Sequence, residues 1–384
     1  MTAAAMDRKT VVLAAGGTGG HMFPAEALAG ELLERGHRVV LVTDRRGQTF
    51  GDRLAEVETF RIRAATMGRG LVGKARTATE LLIGYGQARG ILRGLNADVV
   101  VGFGGYPSAP TVFAAGRLGL PVALHEQNAV LGRANRMLSG KAKLIATSFP
   151  GIVGLKPEQR TLITLTGNPV RPTVAAVAGA PYRTPRGSDP VHLLVLGGSQ
   201  GARIFSEIVP ATLALLPATL RARLRVSQQC RPEDLETARK AYAGTGIETD
   251  LSDFFKDVPR RLSDAHLVLC RSGASTVAEL AAVGRPAILV PYPYAMDDHQ
   301  SANARGFATA GGGWLVPQSD LDPESLARQM ADLIDQPDRL AQAAGNAAGF
   351  GALDAASRLA DAVLKLAGAA TNGNGGHAHR EAAE

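Results

Sequence analysis

The stretch "KTVVLAAGGTGGHMF" (residues 9–23) decides the fold, because an apolar run passes directly into a glycine loop and then into a helical pattern. A second stretch, "DPVHLLVLGGSQGARIF" (residues 189–205), repeats this order of strand, paired glycines and helix. A strand, a glycine turn and a helix together form the first unit of a doubly wound α/β sheet. The repeat therefore predicts two similar α/β domains rather than one large sheet.

Short apolar or β-branched runs alternate with longer helical patterns around both stretches. Apolar strands joined by helices form a parallel sheet that is covered on both faces. The first helix is predicted to begin near Pro24 and to end at Gly36, since proline suits a helix start and glycine a helix end. The predicted strands cover residues 11–14, 39–43, 99–102, 122–125, 144–147, 224–227, 267–269 and 287–291.

The domain organisation follows from the repeat and from "TGNPVRPTV" (166–174), where prolines and a glycine interrupt the pattern. The predicted class is α/β, with two Rossmann-like doubly wound domains that face each other across a cleft. We expect an N-terminal domain over 1–170 and a C-terminal domain over 171–345. A helix over 346–368 is expected to return to the first domain, and the polar, glycine-rich residues 369–384 to be disordered.

Composition limits the classes of function. Hydrophobic residues make up 45% of the 384 residues and charged residues 20%, as in globular proteins. No apolar run approaches the roughly 20 residues that span a bilayer, and the N-terminus lacks a signal-peptide core. Cys230 and Cys270 lie far apart, which argues against a disulfide framework or a cysteine zinc site. The net charge of +7 favours anionic partners, with nucleic acid the weakest because no motif for it is present.

The first glycine loop has two functional interpretations. The spacing of Gly17, Gly19 and Gly20 is not that of a dinucleotide fingerprint, although Asp44 follows the second strand and could bind a ribose. Alternatively, the loop admits a large polar substrate. His21 then lies at a helix start, where the dipole disfavours protonation and keeps the ring available as a base. A histidine that merely caps the helix is the structural alternative.

Loops of the second half are suited to a sugar nucleotide. Ser199 in "LGGSQGAR" and the backbone amides beside it suit an oxyanion at a helix start. In "CRSGASTVAEL" another helix is expected, capped by Ser272, Ser275 and Thr276. Glu279 lies one turn beyond Ser275, where it could bind ribose hydroxyls or simply be a surface acid. Gln300, in "DDHQ", suits sugar hydroxyls. The preceding Asp297-Asp298 pair could hold Mg²⁺, but we expect no metal because helix starts already serve the phosphates.

Two further segments of the first half carry candidate residues. "GFGGYPSAP" (102–110) follows a strand, so its glycines permit close approach and its tyrosine can stack on a sugar. "HEQN" (125–128) is denser in polar groups than a structural loop requires.

Residues 61–95 combine seven basic side chains with one acid, Glu80. This basic segment also contains apolar residues, a mixture typical of a lipid-surface contact. A helix with one buried face and one solvated basic face explains the pattern equally well. The residues concerned are Arg61, Arg63, Arg69, Lys74, Arg76, Arg89 and Arg93, with Met67, Leu71, Val72, Leu81, Leu82, Ile83 and Leu92.

Seven segments, taken together and in order, resemble one family. They are "GGTGGHMFPA", "GFGGYPSAP", "LHEQNAVLGRANR", "TGNPVR", "LGGSQGAR", "CRSGASTVAEL" and "DDHQSANA". The chain resembles the MurG family of bacterial peptidoglycan glycosyltransferases. The resemblance implies the GT-B fold and no cofactor. It also implies transfer of N-acetylglucosamine (GlcNAc) from UDP-GlcNAc to the muramoyl 4-hydroxyl of undecaprenyl-diphospho-MurNAc-pentapeptide (lipid I), which gives lipid II.

The resemblance also implies roles for individual residues. Arg171 and the backbone at Phe255 would hold the uracil, and Glu279 the ribose. The acceptor side is implied at Gly104, Gly105 and Tyr106. The implied UDP-GlcNAc site comprises Thr18, Gly19, Gly20, Asn128, Arg171, Ser199, Phe255, Ala274, Ser275, Thr276, Val277, Ala278, Glu279 and Gln300.

The family inverts the anomeric carbon, which implies a single displacement by the acceptor hydroxyl. A base must take the proton of that hydroxyl, a contribution typically worth about 10²–10⁴-fold in rate. The candidates for the catalytic base are His21 and Glu126, and the sequence does not separate them.

The implied partners are UDP-GlcNAc, the undecaprenyl-linked acceptor, proteins of a cell-wall assembly, and the cytoplasmic face of the bacterial plasma membrane, bound peripherally. Three alternatives stay open. They are a nucleotide-dependent oxidoreductase, a non-catalytic sugar-nucleotide or lipid-binding module, and a related transferase with another lipid or small-molecule acceptor.

Overall fold

The computed structural model describes residues 8–17, 19–44, 57–65, 70–198 and 201–374. The chain divides into two compact units. The first unit comprises Met1–Arg171 together with Asp354–Glu384, and the second comprises Pro172–Leu353. The predicted pair of Rossmann-like α/β domains is confirmed, since each unit contains its own parallel sheet.

The first unit contains a parallel sheet of seven strands within the described residues, in the order β3-β2-β1-β4-β5-β6-β7. At its centre, Val12 pairs with Val40 on one side and with Val100 on the other. The strands are β1 (Thr10–Ala14), β2 (Arg38–Asp44), β3 (Glu58–Ile62), β4 (Val99–Gly102), β5 (Val122–Glu126), β6 (Leu144–Thr147) and β7 (Ile163–Leu165). The helices between them are α1 (Gly19–Glu34), α2 (Gly70–Leu95), α3 (Ala109–Arg117) and α4 (Arg133–Leu138).

The second unit repeats this plan with six parallel strands in the order β10-β9-β8-β11-β12-β13, counted over the part of the chain that the structure describes. The strands are β8 (Val191–Leu196), β9 (Leu224–Gln229), β10 (Glu248–Ser252), β11 (Leu267–Cys270), β12 (Ala287–Leu289) and β13 (Gly313–Leu315). The helices are α5 (Pro172–Ala175), α6 (Arg203–Ala214), α7 (Ala218–Arg221), α8 (Leu235–Tyr242), α9 (Val258–Asp264), α10 (Ala274–Val283), α11 (His299–Thr309), α12 (Pro323–Asp335) and α13 (Pro337–Phe350).

The last helix, α14 (Ala355–Asn374), belongs to the first unit, where it packs against α1. This arrangement differs from the expected boundaries in three respects. Arg171, expected in the C-terminal domain, belongs to the first unit. Residues 346–353 remain with the second unit, so the returning helix begins at Ala355. That helix continues to Asn374, so residues 369–374 are helical rather than disordered, and residues 375–384 lie outside the described part of the chain.

The core of the first unit is built on both faces of its sheet, because successive side chains of a strand point to opposite faces. Val11 and Leu13 pack in one cluster with α1 and with Leu359 of α14. Val12 packs in the other cluster with Leu92 of α2 and with residues of α3. Every residue of β1 after Thr10 is therefore buried, as in strands covered on both faces.

The first helix begins earlier than its proline predicts. α1 begins at Gly19 and ends at Glu34, with Pro24 inside it. Pro24 is the sixth residue of α1, so it lies beyond the first turn, where a helix best tolerates the missing backbone N–H of proline. The consequence for the site is that His21 is the third residue of α1, immediately after the glycine loop.

Candidate active site

The carboxyl ends of β1, β4 and β5, neighbours in the first sheet, bring three loops together. Half-buried His21 lies in the first turn of α1, directly after the first of these loops and beside the Gly104-Gly105 turn that follows β4. Gly105 has a φ of +73°, and a Cβ atom there would lie 3.2 Å from Cδ2 and 3.5 Å from Nε2 of His21. The turn can therefore approach the edge of the imidazole only because both of its residues are glycines. Tyr106, which continues this turn, is half-buried.

A chain of hydrogen bonds leads from His21 into the core. His21 Nδ1 lies 3.1 Å from Gln127 Oε1. Gln127 Nε2 lies 3.0 Å from the Phe103 carbonyl, the His125 carbonyl and His125 Nδ1. His125 Nε2 in turn lies 3.2 Å from the carbonyl oxygen of Gly167. The His21 relay, as we call this series of contacts through Gln127 and His125 to Gly167, joins three of the loops at the carboxyl end of the sheet.

His125 is fully buried, and this burial lowers the pKa of its imidazole from 6.5 to about 4. The ring is therefore neutral at neutral pH. Sequence reasoning identified the polar cluster at 125–128 but missed His125 as part of the site. The available signal was a histidine near the end of an otherwise apolar strand, directly before the polar residues Glu126, Gln127 and Asn128.

Glu126, the other candidate base, has both of its carboxylate oxygens engaged. Oε1 accepts from Asn128 N at 3.0 Å and from Asn128 Nδ2 at 3.2 Å. Oε2 accepts from Gly132 N at 2.9 Å and from Asn135 Nδ2 at 2.8 Å. The side chain is 1% exposed. Four N–H groups fill the acceptor sites of one carboxylate, so Glu126 anchors the loop over 126–135 and positions Asn128.

Asn135 is a second residue that sequence reasoning missed. Its Nδ2 also donates to the His125 carbonyl at 3.1 Å, while its buried Oδ1 has no hydrogen-bond partner among the described residues. That oxygen lies 3.5 Å from the position that a Cβ of Gly104 would occupy. Asn135 therefore connects the Glu126 anchor to the glycine turn beside His21.

The remaining predicted residues of the first unit lie around the start of α1. Gly19 and Gly20 are its first two residues, and a Cβ at Gly19 would lie 2.8 Å from the Phe23 ring. The Arg171 guanidinium stacks over the same ring, 4.8 Å from its centroid. Thr18 lies outside the described residues.

In the second unit, the first six of the ten residues of α10 are predicted donor residues, namely Ala274, Ser275, Thr276, Val277, Ala278 and Glu279. The helix starts after Gly273, which supplies no side-chain cap. Ser275 Oγ is buried there, with no hydrogen-bond partner in the described part of the chain. A helix start with free N–H groups and a hydroxyl is suited to a phosphate. Glu279, one turn further on, is buried rather than a solvated surface acid.

Gln300, on α11, is fixed to both neighbouring loops. Its carbonyl accepts from Ser272 Oγ at 2.8 Å, and its side-chain Oε1 accepts from Tyr292 N at 2.9 Å. The preceding Asp297 and Asp298 adopt positive φ values of 53° and 51°. Among the described residues, no group of three or more His, Cys, Asp or Glu side chains is placed to hold a metal ion.

Both halves of the chain match one protein family. Residues 11–147 match the glycosyltransferase family 28 N-terminal domain, and residues 192–359 match the family 28 C-terminal domain. The chain belongs to glycosyltransferase family 28.

Two relatives of this family 28 chain share the same name. It is 58% identical to the UDP-N-acetylglucosamine--N-acetylmuramyl-(pentapeptide) pyrophosphoryl-undecaprenol N-acetylglucosamine transferase of Rhodospirillum centenum, over 96% of this chain and 97% of the relative. It is 56% identical to the protein of that name from Rhodospirillum rubrum, over 93% and 92%.

The crystal structure of Acinetobacter baumannii MurG superposes on this family 28 chain with a TM-score of 0.76 and 30% identity. The superposition covers 93% of this chain and 99% of that one. The resemblance to the MurG family and the GT-B fold are therefore confirmed. The dinucleotide interpretation of the first glycine loop is not supported.

Phe255 shows how this family 28 chain accommodates its "FF" sequence. The Phe255 side chain is buried, and the Arg261 guanidinium stacks 4.0 Å from its ring centroid. Phe254, by contrast, is 67% exposed. Ser199, the remaining predicted donor residue, lies outside the described residues.

Most of the basic segment of this family 28 chain forms α2, which has a buried and an exposed face. Leu92 is in the core, on the buried face of the helix. Leu71 and Val72 are 87% and 84% exposed, and Leu82 is 70% exposed. Met67 and Arg69 lie outside the described residues.

Neighbouring elements extend the exposed apolar surface of α2. Phe113 of α3 is half-exposed, packs edge-to-face against Tyr85 of α2, and has Lys141 Nζ 5.8 Å from its ring centroid. We call this surface, formed by Leu71, Val72, Leu82, Ile83 and Phe113, the α2 apolar patch. Within the described residues, none of the helices combines the length and the hydropathy needed to cross a bilayer.

Proposed function

We propose that this chain is an inverting glycosyltransferase that moves GlcNAc from UDP-GlcNAc to the muramoyl 4-hydroxyl of lipid I and so forms lipid II. The observation that carries the proposal is the likeness to transferases of that name, which reaches 58% identity over 96% of the chain. The geometry of each unit supports a division of labour. The second unit would hold the donor, and the first would activate the acceptor.

For the donor, the start of α10 would bind the diphosphate. Its backbone N–H groups and Ser275 Oγ offer donors to phosphate oxygens, and the helix dipole favours negative charge. Glu279 would accept hydrogen bonds from the ribose hydroxyls. Gln300, with Asn128 of the first unit, would read GlcNAc hydroxyls. Arg171 and the backbone at Phe255 would hold the uracil.

For the acceptor, His21 would be the catalytic base. Its Nε2 lies beside the Gly104-Gly105 turn, the segment that the family resemblance assigns to the acceptor side. Glu126 is less suited, because its carboxylate already accepts four hydrogen bonds. As the hydroxyl oxygen forms its bond to the anomeric carbon, its proton would pass to His21 Nε2.

The bond from the anomeric carbon to the UDP oxygen would break in the same displacement, with inversion at that carbon. Negative charge then grows on the leaving diphosphate. N–H groups fixed at a helix start are oriented before the reaction and stabilise this charge without reorganisation. This arrangement supports a transfer that needs no metal ion.

Mass spectrometry of a short-chain lipid I analogue, incubated with the purified protein, UDP-GlcNAc and excess EDTA, tests the proposal. We expect a product heavier by one N-acetylhexosamine, with release of UDP. Product formed only after Mg²⁺ is restored would overturn the metal-free mechanism. No product under either condition, while UDP-GlcNAc still binds, would indicate a different acceptor.

The α2 apolar patch supports a peripheral location at the cytoplasmic face of the plasma membrane, where a lipid-linked acceptor would be found. Exposed leucines and an aromatic side chain, flanked by Lys74, Arg76 and Lys141, match the pattern of helices that lie in a membrane interface. Proteins of a cell-wall assembly would be further partners.

We expect the double variant Leu71→Ser, Leu82→Ser to bind anionic phospholipid vesicles more weakly than the wild type. The loss should be roughly 30-fold or more, because each of the two leucines contributes on the order of 1–2 kcal/mol when its side chain leaves water. Cosedimentation with vesicles measures the effect. Leu215→Ser, which changes a half-exposed leucine in the second unit, is the matched control. Equal binding by the double variant and the wild type would exclude this surface as the membrane contact.

A further inference from the structure

We infer that Gln127 is a positioning residue that sets the tautomer of His21, with the proton on Nδ1 and a lone pair on Nε2. The kinetic consequence of this inference rests on the proposed function, whereas the position of the proton does not. The inference follows from the carbonyl oxygens in the His21 relay, which can accept hydrogen bonds but cannot donate them.

The orientation of the Gln127 amide is fixed by two carbonyl oxygens. One end of the amide lies 3.0 Å from both the Phe103 and the His125 carbonyls. A carbonyl oxygen accepts hydrogen bonds and cannot donate them, so this end must be the NH₂ group. The other end, Oε1, is therefore the acceptor that faces His21 Nδ1 at 3.1 Å.

The contacts at the buried end of the relay require the same orientation of the Gln127 amide. The Gly167 carbonyl can only accept, so His125 must carry its proton on Nε2, 3.2 Å away. Neutral His125 then presents a lone pair on Nδ1 to the Gln127 NH₂ group, 3.0 Å away. If Gln127 were reversed, its Oε1 would face that lone pair and two carbonyl oxygens. Three acceptors thus hold the amide in one orientation.

The consequence for His21 is a proton on Nδ1, since that nitrogen faces an oxygen. In the neutral ring, the lone pair then lies on Nε2, at the edge beside Gly105. A base in the opposite tautomer would present N–H to the acceptor hydroxyl and could not take its proton. His125, within the relay, is neutral, and the carboxylate oxygens of the adjacent Glu126 are engaged by Asn128, Gly132 and Asn135.

The experiment uses the full chain with ¹⁵N-labelled histidine. Long-range ¹H–¹⁵N correlation spectra, recorded above the titration range of the ring, distinguish protonated from unprotonated ring nitrogens. His21→Gln assigns the signals among the 8 histidines. In the wild type, His21 Nδ1 should resonate as a protonated nitrogen and Nε2 as an unprotonated one.

Gln127→Leu removes the acceptor and should shift both His21 signals toward the average of the two tautomers. It should also lower kcat roughly 10- to 1000-fold with KM for UDP-GlcNAc unchanged, since a base in the wrong tautomer loses most of its contribution. Gln159→Leu is the matched control. Gln159 is also a buried glutamine of the first unit, but it bonds Ser139 Oγ and Lys156 N.

Three outcomes would overturn the inference. A wild-type His21 with its proton on Nε2 does so directly, even if Gln127→Leu fails to fold. Unchanged His21 signals in Gln127→Leu do so as well, and so does an equal loss of kcat in Gln159→Leu. A wild type that shows the expected tautomer but transfers no sugar would refute the proposed function and leave the assignment of the proton intact.

Discussion

At the residue scale, the surroundings of an acceptor atom decide what it can do. His21 and Glu126 both lie at the carboxyl end of the first sheet, and both are chemically able to take a proton. The carboxylate of Glu126 is saturated by four N–H donors, whereas His21 is held through one nitrogen and presents the other at the glycine turn. The same end of the first sheet thus contains one group for chemistry and one for architecture.

Paired glutamine substitutions separate these two roles. Glu126→Gln should lower the free energy of unfolding by roughly 2–4 kcal/mol, because one end of the new amide points N–H at donors that the carboxylate satisfied. His21→Gln should leave stability within about 0.5 kcal/mol, since the residue is half-buried, but lower kcat by about 10²–10⁴-fold. Denaturant unfolding and steady-state kinetics measure both. A stable Glu126→Gln protein with the larger loss of kcat would reverse the assignment.

Much of the site could be predicted from residue types at strand ends, and the relay could not. Glycines, a histidine and a polar cluster after apolar strands are visible in the sequence. The direction of a hydrogen bond is not visible, because it depends on which carbonyl lies within 3 Å of which side chain. Gly167 is 40 residues beyond Gln127 in the chain, and β7 brings it to the relay.

At the element scale, the strands absent from the prediction are β3, β7, β10 and β13. These are the strands at the edges of the two sheets. An edge strand has a neighbour on one side only and is covered less completely, so it needs no continuous apolar run. The interior strands are buried on both faces, and their apolar runs identified them. The four strands were therefore missed for one reason: an edge strand lacks the continuous apolar run by which the interior strands were identified.

The contribution of α14, the helix that returns to the first unit, to stability can be tested by mutation. Leu359 lies on α14, is fully buried and packs with Val11 and Leu13 of β1. Leu359→Ala should lower the free energy of unfolding by about 2–5 kcal/mol, the range for a buried leucine replaced by alanine. Leu353→Ala, just before the helix at a 60% exposed position, should change it by less than about 0.5 kcal/mol. Equal midpoints for the two variants in guanidinium would mean that α14 contributes little to the first unit.

At the scale of the whole molecule, stability should fall as the pH falls from about 6.5 to about 4. Burial lowers the pKa of His125 and of His266 to about 4 in the folded protein, against 6.5 in the unfolded chain. Between these values the unfolded state binds more protons, so acid favours unfolding. For His125 alone, the full effect is roughly 3 kcal/mol, present above the unfolded pKa and lost as the folded pKa is approached.

Thermal or denaturant unfolding at a series of pH values measures this slope. His125→Gln should make the dependence shallower by about one proton between pH 6.5 and 4, because the replacement cannot titrate in this range. Above that interval, the free energies of unfolding of the two proteins should change in parallel with pH. An unchanged slope in the variant would mean that His125 is protonated in the folded protein as readily as in the unfolded chain.

The position of α14 in the chain has a consequence for biosynthesis. The strands of the first sheet are all made before residue 171, but α14 leaves the ribosome only after the entire second unit. At about 5–20 residues per second, roughly 200 residues of translation take about 10–40 s. During that interval the second unit can fold, while the surface that α14 will cover on the first stays open to chaperones and to aggregation. The half of the protein that is translated first is therefore the half that matures last.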